Sequence, residues 1–255
     1  MILRRIAQHV KDQNWTAIGI DFVIVVLGVF MGIQLGNWNE RLNDRQRAED
    51  YLARLTQEMT INLKAFEGRQ ASYASQIEYG LFVMDASEAP SDREAAWEII
   101  RAFFQASHAF TITPQRGTYD EIISSGDLAL LGDQELVNAL SRFYTFGGFS
   151  TIEVIPPYRE SIRRLIPFQM QEYLQTQCYR VDILDNHSLL DCPPPDDAES
   201  LVDLATQLQA DTELKRDLQY MLSYAGVSVD IATNRAKRAH EVLAILSTQT
   251  GSTGD

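Results

Sequence analysis

A single apolar segment near the N-terminus constrains this chain more than any other feature of its sequence. The segment runs from Trp15 to Glu40, reads WTAIGIDFVIVVLGVFMGIQLGNWNE, and contains no Lys or Arg. Residues 18–35 supply eighteen positions. A helix that rises about 1.5 Å per residue needs about 20 residues to cross a hydrocarbon core of about 30 Å. The unbroken apolar core, residues 22–33, is shorter and would also suit a buried helix of a soluble protein.

The residues that flank this core favour the membrane. Trp15 and Trp38 bracket the segment, and amphipathic indole rings prefer the headgroup level of a bilayer. A cleaved signal peptide is disfavoured because no small-x-small cleavage site follows the apolar run. We therefore predict one uncleaved transmembrane helix over residues 15–38, with membrane lipids around it. A short amphipathic segment is predicted before it, at residues 1–14.

One face of the predicted span carries both its small residues and its only charge. Gly28, Gly32 and Gly36 repeat every four residues. At about 100° per residue, Asp21 lies within about 20° of the first two and about 60° of the third. Small residues let two helices approach closely, and a carboxylate inside a bilayer normally faces a partner or water. We predict that this face binds another transmembrane helix, from a second copy or a partner subunit. The alternative, chance glycines and an Asp21 that reaches headgroup water, stays open.

The same segment resembles a known family. The run IGIDFVIVVLGVFMGIQLGNWNE is similar to the N-terminal signature of a family of uncharacterised bacterial single-span membrane proteins, whose span ends in an Asn-Trp-Asn-Glu signature. The positions that match the family pattern are Asp21, Gly28, Gln34 and Asn37 to Glu40. Gly36 departs from the Asn expected there, and the likeness continues weakly to about Phe66 and over residues 118–140. The resemblance implies membrane anchoring and a helical domain, and it implies no activity.

Charge bears on the compartment of the rest of the chain. The sequence has 35 acidic and 22 basic residues, a net charge of −13, and the negative balance lies after the span. Such a chain is unsuited to nucleic-acid binding. Basic residues close to the span are nearly balanced: Arg4, Arg5 and Lys11 precede it, and Arg41, Arg45 and Arg47 follow it. We predict a bacterial inner-membrane protein with a cytoplasmic N-terminus and a periplasmic main domain.

Two cysteines, Cys178 and Cys192, are fourteen positions apart in the distal part of the chain. In an oxidising periplasm they would form a disulfide that closes a loop. Two reduced thiols, or a metal site that adds His187, are the alternatives. Zinc would need a fourth ligand and closer pairs of ligands than this spacing offers.

The periodicity of the soluble part predicts helices almost throughout. The fold class is therefore all-α: one N-terminal transmembrane helix, a helical-bundle domain over residues 39–247 and a flexible tail at residues 248–255. Apolar residues three or four apart predict one long helix through Met84 and another from Leu214 to Leu246, and we expect the two to pair antiparallel. Residues 179–197 form the least regular stretch.

Local signals predict the ends of the short helices between the two long ones. Thr118 and Glu121 have the spacing of a capping box that would open a helix. Gly126 suits the C-terminal cap of that helix, and Asp133 suits the start of the next one.

No catalytic or metal-binding motif accompanies these helices. The sequence contains no HExxH, GxSxG, Walker A or dinucleotide-binding glycine pattern, and its four His residues are scattered. Asp182, Asp185 and Asp191 lack the spacing of an EF-hand and indicate a solvated acidic loop. We predict no enzymatic activity, no cofactor and no metal. The expected role is an accessory, assembly or scaffold subunit of an envelope complex. The alternatives are a periplasmic ligand or stress sensor that signals through a partner, and an enzyme with an unrecognised site.

Overall fold

The computed structural model describes residues 15–110, 113–145, 156–182, 186–196 and 201–252, and of residues 15–21 and 250–252 it describes the backbone alone. Its helices are α1 (Trp15–Asp85), α2 (Arg93–Gln105), α3 (Gly117–Ser125), α4 (Gln134–Thr145), α5 (Pro157–Leu165), α6 (Phe168–Gln177), α7 (Leu201–Ala210) and α8 (Thr212–Ser252). A 3-10 turn over Asp127–Leu131 joins α3 to α4, and two short strands, β1 (Tyr179–Val181) and β2 (His187–Leu189), follow α6. The predicted all-α fold with one long apolar N-terminal helix is confirmed. The amphipathic segment predicted at residues 1–14 lies outside the described residues.

The chain divides into two compact units, residues 1–51 and 52–255. In the first unit, α1 is a helix whose residues are exposed continuously from Phe22 to Asn43. Polar contacts along its own surface begin near the end of the apolar segment. The Arg41 Nε donates to the Asn37 carbonyl at 3.2 Å, and Arg47 forms an ion pair with Asp44 at 2.6 Å.

In the second unit, the distal part of α1 pairs with α8 in an antiparallel arrangement. A Cβ built on Gly80 would lie 2.3 Å from a methyl carbon of Leu222, so glycine permits the close approach of the two helices there. Farther along, Glu67 on α1 lies 3.5 Å from His240 on α8. These contacts confirm the antiparallel pairing predicted for the two long helices.

Helix α2 lies at the centre of the largest apolar core. Asp92 caps its N-terminus by accepting from the Ala95 N–H at 2.9 Å. Its inward face includes Ile100, Phe103 and Phe104, each fully buried. Helices α5, α6 and α7 all pack against α2, which explains why the helix has an apolar residue at nearly every turn.

The α3 region shows one correct and one wrong cap prediction. Gly126 ends α3 in the left-handed region, with φ 77°, as predicted. The capping box of Thr118 and Glu121 is wrong, because Thr118 already lies inside the helix and its N–H donates to Glu58 on α1. Glu121 instead pairs with Arg54, with guanidinium-to-carboxylate distances of 2.7 and 3.0 Å.

Helix α4 begins where the sequence indicated. It starts at Gln134, immediately after Asp133, and the Asp133 carboxylate accepts from the Glu135 N–H at 2.7 Å. The same carboxylate accepts from the Gln249 side chain at 2.8 Å.

The stretch described from sequence as irregular contains a β-hairpin. Strands β1 and β2 pair antiparallel, with Tyr179 opposite Leu189. Asp182 closes the connection by accepting from the Asn186 backbone N–H at 2.9 Å and from its amide at 3.0 Å. A Cβ on Gly68 of α1 would lie only 1.8 Å from the Asn186 Oδ1, so a glycine is needed where the hairpin approaches the helix.

Helix α8 continues through Ser252, into the segment predicted as a flexible tail. The Thr248 hydroxyl donates to the Ile245 carbonyl at 2.7 Å, and Gln249 is held by Asp133. The bond from Gln249 to Asp133 attaches this Gly/Ser/Thr-rich end to the start of α4. Residues 253–255 lie outside the described residues.

Candidate functional site

The apolar segment of α1 is the first candidate. The fifteen residues from Phe22 to Gly36 are all exposed. A Cβ built on Gly28, Gly32 or Gly36 would meet no other described atom within 4 Å. Trp38 is exposed as well. The side chains of Asp21 and Trp15 are outside the description, so the predicted clustering of Asp21 with the glycines stays a prediction.

This segment has the physical properties that a membrane span requires. Among the described residues, one helix near the N-terminus is long and apolar enough to cross a bilayer. Exposed large apolar side chains point in all directions around the helix, because the consecutive residues Phe22, Val23, Ile24 and Val25 are each about 100° apart. An amphipathic helix that packs on a protein core would instead show one apolar stripe.

Cys178 and Cys192 form a disulfide, with their Cα atoms 5.2 Å apart. The disulfide alternative is therefore confirmed. The free-thiol and metal alternatives are wrong, because both sulfur atoms are used in the bond. Neighbouring polar groups hold its backbone: the Trp97 indole N–H donates to the Cys192 carbonyl at 2.8 Å, and the Gln105 amide donates to the Cys178 carbonyl at 2.7 Å.

The acidic residues of the same region do not gather around a common point. Asp182 is engaged by Asn186, and Asp191 forms an ion pair with Arg101 at 2.9 Å. Asp185 lies outside the described residues. In the part of the chain that the structure describes, no group of three His, Cys, Asp or Glu residues could hold a metal ion.

A buried carboxylate on α1 is the centre of a polar site that we call the Glu58 clamp: Glu58, Asn62 and Tyr144. Glu58 accepts from the Thr118 N–H at 2.6 Å and from the Tyr144 hydroxyl. Asn62 donates to the Gln115 carbonyl and accepts from the Gln115 N–H, both at 2.7 Å. Burial, together with the hydrogen bond to Glu58, raises the pKa of Tyr144 far above its usual range. The clamp thus fixes the start of α3 on α1.

Another polar site lies where α2, α5 and β1 meet, and we call it the arginine–histidine cluster: His108, Arg159 and Arg163. Arg159 and Arg163 are one helical turn apart on α5. The Arg159 guanidinium donates to the Ser107 carbonyl at 3.1 Å, and the Arg163 Nε donates to the Ser107 hydroxyl at 3.3 Å. Both of these hydrogen-bond acceptors, the carbonyl and the hydroxyl of Ser107, are neutral groups.

Aromatic rings hold the members of this cluster in place. The His108 ring stacks on Tyr179, with centroids 4.5 Å apart and planes within 1° of parallel. The His108 ring also lies nearly parallel to Phe110, with centroids 5.8 Å apart. The guanidinium carbon of Arg163 lies 3.7 Å from the ring centroid of Phe104, which is cation–π geometry. The imidazole and one guanidinium therefore have little freedom to move.

The hairpin completes one side of the cluster. The Tyr179 hydroxyl hydrogen-bonds the His187 Nδ1, which links the two strands through their side chains. The Ser72 hydroxyl of α1 donates to the His187 carbonyl at 2.6 Å. Because Tyr179 follows Cys178 directly, the disulfide also restrains the ring on which His108 stacks.

The two guanidiniums of the cluster carry positive charge that no carboxylate among the described residues balances. Burial, followed by repulsion from Arg159, lowers the pKa of Arg163 to about 10. Burial also lowers the pKa of Arg159. His108 is 5 % exposed, and burial lowers its pKa well below the usual value, with Arg163, Arg159 and His187 adding to the effect. His108 is therefore neutral at physiological pH.

Several buried polar atoms around the cluster have no hydrogen-bond partner among the described residues. They include the His108 Nε2, the Arg163 Nη2 and the Oε1 atoms of Gln76 and Gln105. The Glu58 clamp has no such atom. A buried polar atom that remains unpaired costs about 1 to 3 kcal/mol, so each one requires an explanation.

Comparison with known proteins adds no assignment: no family model, no curated protein and no solved structure matches this chain. The resemblance to single-span membrane proteins therefore stays a prediction.

The sequence does not predict the arginine–histidine cluster, because His108 is one of four histidines that lie far apart along the chain. A weak signal was present. Arg159 and Arg163 flank Ile162 in a helix whose apolar residues must face a core, so the guanidiniums lie close to that core. The partner element is the aromatic segment that contains Phe104 and His108. Its Ser107 lies 52 positions before Arg159, and only the fold brings the two segments together.

Proposed function

We propose that this chain is a membrane-anchored, non-enzymatic helical protein of the bacterial inner membrane. In this proposal it is an accessory, assembly or scaffold subunit of an envelope complex and associates through its transmembrane helix. The observation that carries the proposal is the uncovered apolar surface of α1 from Phe22 to Leu35. Exposed apolar surface costs about 25 cal/mol per Å² in water, and a bilayer or a second helix would remove that cost.

Two further observations support a periplasmic location of the helical domain. The disulfide between Cys178 and Cys192 is typical of an oxidising compartment. The strongly acidic composition also suits an exported domain, and it disfavours nucleic acid as a partner. The lack of a recognised catalytic motif in the sequence supports a non-enzymatic role.

Substitutions on two faces of the span test the association. The double variant Gly28→Leu/Gly32→Leu fills the glycine face, and we expect it to weaken self-association or co-purification of a partner in mild detergent. The matched control is Val26→Leu/Phe30→Leu. It also introduces two leucines, and its positions lie roughly 120° to 180° away on the helix. Equal behaviour of the two double variants would refute association through the glycine face.

Fractionation tests the anchoring and orientation independently. We expect the full chain to remain in the membrane fraction after an alkaline carbonate wash, because a spanning helix is held by its apolar surface. Protease added to intact spheroplasts should remove the domain beyond residue 51 if that domain is periplasmic. Protection of the domain in spheroplasts that are shown to be intact would reverse the proposed orientation.

A sensor is the second candidate function, and the arginine–histidine cluster is the observation that favours it. The cluster presents buried donors without partners among the described residues, as a ligand site would. A sensor of this design would pass its signal to a partner protein through the membrane. A ligand that changes co-purification of a partner would support this function, and ligand binding without any such change would argue against it.

A further inference from the structure

We propose that the arginine–histidine cluster binds a small oxyanion, a carboxylate or phosphate group, between the guanidinium groups of Arg159 and Arg163 and the imidazole of His108. The inference goes beyond anchoring and association, and it rests on the geometry of the helical domain alone. It also gives the sensor candidate a ligand class.

The charge balance at the site is the first argument. Three described arginines on the surface pair with carboxylates: Arg164 with Glu160, Arg116 with Asp120 and Arg54 with Glu121. Arg159 and Arg163 have no carboxylate partner among the described residues, although the chain has 35 acidic residues. Two like charges one turn apart in a partly buried site repel each other, and a bound anion removes that repulsion.

The free donor positions are the second argument. The Arg163 Nη2 and the His108 Nε2 are both buried and have no partner among the described residues. The two groups are neighbours, because each contacts Phe104: the Arg163 guanidinium lies over its ring, and the His108 ring meets its edge at 5.6 Å. A planar guanidinium binds a carboxylate or phosphate through paired hydrogen bonds, and an imidazole N–H adds a third donor.

The surroundings of these donors are the third argument. Phe104, Phe110 and Tyr179 flank the imidazole and guanidinium, so water screens the site less than it screens a surface arginine. The stacked rings also fix the imidazole before any ligand arrives. A site with fixed donors loses little conformational entropy on binding, which favours affinity for a small ligand.

Two other occupants make different predictions. Ordered water would satisfy the orphaned atoms without any preference for anions. A carboxylate of the chain itself, Glu153 or Asp185, would occupy the site permanently; both residues lie outside the described part of the chain. Water or an internal carboxylate can be distinguished from a bound oxyanion because each would give a different change of the unfolding temperature with added anions and with substitutions.

Thermal unfolding of the full chain in non-ionic detergent is the test. Sodium chloride is replaced in parallel by sodium phosphate or by sodium citrate at constant pH and ionic strength. At an anion concentration of about 100 times Kd, a site specific to the folded state raises the unfolding temperature by about 5 to 10 °C. A shift in phosphate alone assigns the site to phosphate groups, and a shift in citrate alone assigns it to carboxylates.

The decisive variant is Arg163→Gln, and the matched control is Arg164→Gln on the same helix. We expect R163Q to lose most of the anion-dependent shift and R164Q to keep it, because Arg164 is exposed and paired with Glu160. In chloride, R163Q should be as stable as the wild-type protein or more stable, since an uncompensated charge is removed. Arg163→Lys is the fallback if R163Q does not fold; it keeps the charge, loses the guanidinium fork and should weaken binding at least about tenfold.

Three results would overturn the proposal. One is the absence of a shift in both phosphate and citrate, which leaves water as the occupant. The second is an equal shift in the wild-type protein and R163Q, which indicates a general salt effect. The third is that R163Q and the double variant Glu153→Gln/Asp185→Asn are destabilised equally in chloride, which indicates an internal ion pair. None of these results bears on membrane anchoring, so failure here is distinguishable from failure of the proposed function.

Discussion

The Glu58 clamp and the arginine–histidine cluster are both polar, both buried and both formed by side chains from distant parts of the chain. They differ in whether their buried polar atoms have hydrogen-bond partners among the described residues. In the clamp, one carboxylate meets a backbone N–H and a phenol, and one amide meets both polar groups of Gln115. In the cluster, two guanidiniums share the backbone and hydroxyl of Ser107, and buried nitrogen atoms remain without partners among the described residues.

The difference shows that burial of a charge does not by itself indicate a binding site. Glu58 is buried because the start of α3 needs acceptors for its free N–H groups, and a negative charge is stabilised there by the helix dipole. That arrangement is complete without any ligand. Arg159 and Arg163 repel each other and leave donor capacity unused, which is the arrangement that a bound anion would complete.

The largest expected effect comes from removing the disulfide beside the cluster. In the chain-entropy model, Cys178→Ser/Cys192→Ser should cost about 3 kcal/mol, or roughly 6 to 12 °C in unfolding temperature. Because the bond restrains Tyr179 and not the clamp, hydrogen exchange should accelerate at the Leu190 amide, which donates to the Cys178 carbonyl, and remain slow at the Thr118 amide. Equal acceleration at the two amides would show that the two sites unfold as one unit.

The clamp should respond to Glu58→Gln with a loss of about 1.5 to 3 kcal/mol, since a hydrogen-bonded buried charge is lost. The measurement is denaturant unfolding of the full chain. Glu67→Gln is the matched control on the same helix, because the Glu67 side chain is half exposed and should contribute little. The loss in E58Q should be the same in chloride, phosphate and citrate. A loss that depends on the anion would contradict the distinction between the two sites.

The cluster should contribute to the pH dependence of stability through His108. His108 stays neutral in the folded protein, so the unfolded chain binds one more proton below a pH of about 6.5. Stability therefore falls as the pH falls, by up to about 1.4 kcal/mol per pH unit, until the folded protein also takes up the proton.

His108→Phe should remove this part of the slope and preserve the stacking on Tyr179. The groups that face His108, namely Arg159, Arg163 and His187, are unchanged in the variant, so the difference in slope reports His108 alone. The measurement is the free energy of unfolding of both proteins between about pH 5 and pH 7. Parallel slopes would contradict a depressed pKa for His108.

Much of the architecture could be predicted because it depends on local signals. The apolar N-terminal helix follows from composition, the paired long helices from apolar residues three or four apart, and the α3 C-terminus from a glycine that accepts φ 77°. The hairpin was not predicted because its strands have three residues each, too few for an alternating pattern. It is stabilised by the disulfide and by contact with Gly68, which are tertiary features.

The polar sites were harder to predict for the same reason. Thr118 and Glu121 have the spacing of a capping box, yet a carboxylate 60 residues earlier supplies the acceptor for the Thr118 amide. Glu58 has no local pattern that marks it as a helix cap. His108 likewise becomes informative only when the fold stacks it with Tyr179 and Phe110.

The smallest expected effect tests whether the clamp is a purely local device. Gly126 ends α3 with a positive φ, so Gly126→Ala should cost about 1 kcal/mol, whereas Gly117→Ala at the other end has open space and no such strain. E58Q acts on the N-terminal end of α3 and G126A on its C-terminal end. If each end is held independently, the double variant E58Q/G126A should lose the sum of the two single losses to within about 0.5 kcal/mol, measured by denaturant unfolding. A larger departure from additivity would mean that the clamp and the glycine cap stabilise α3 cooperatively. The effect of the clamp would then extend beyond the contact between the start of α3 and α1.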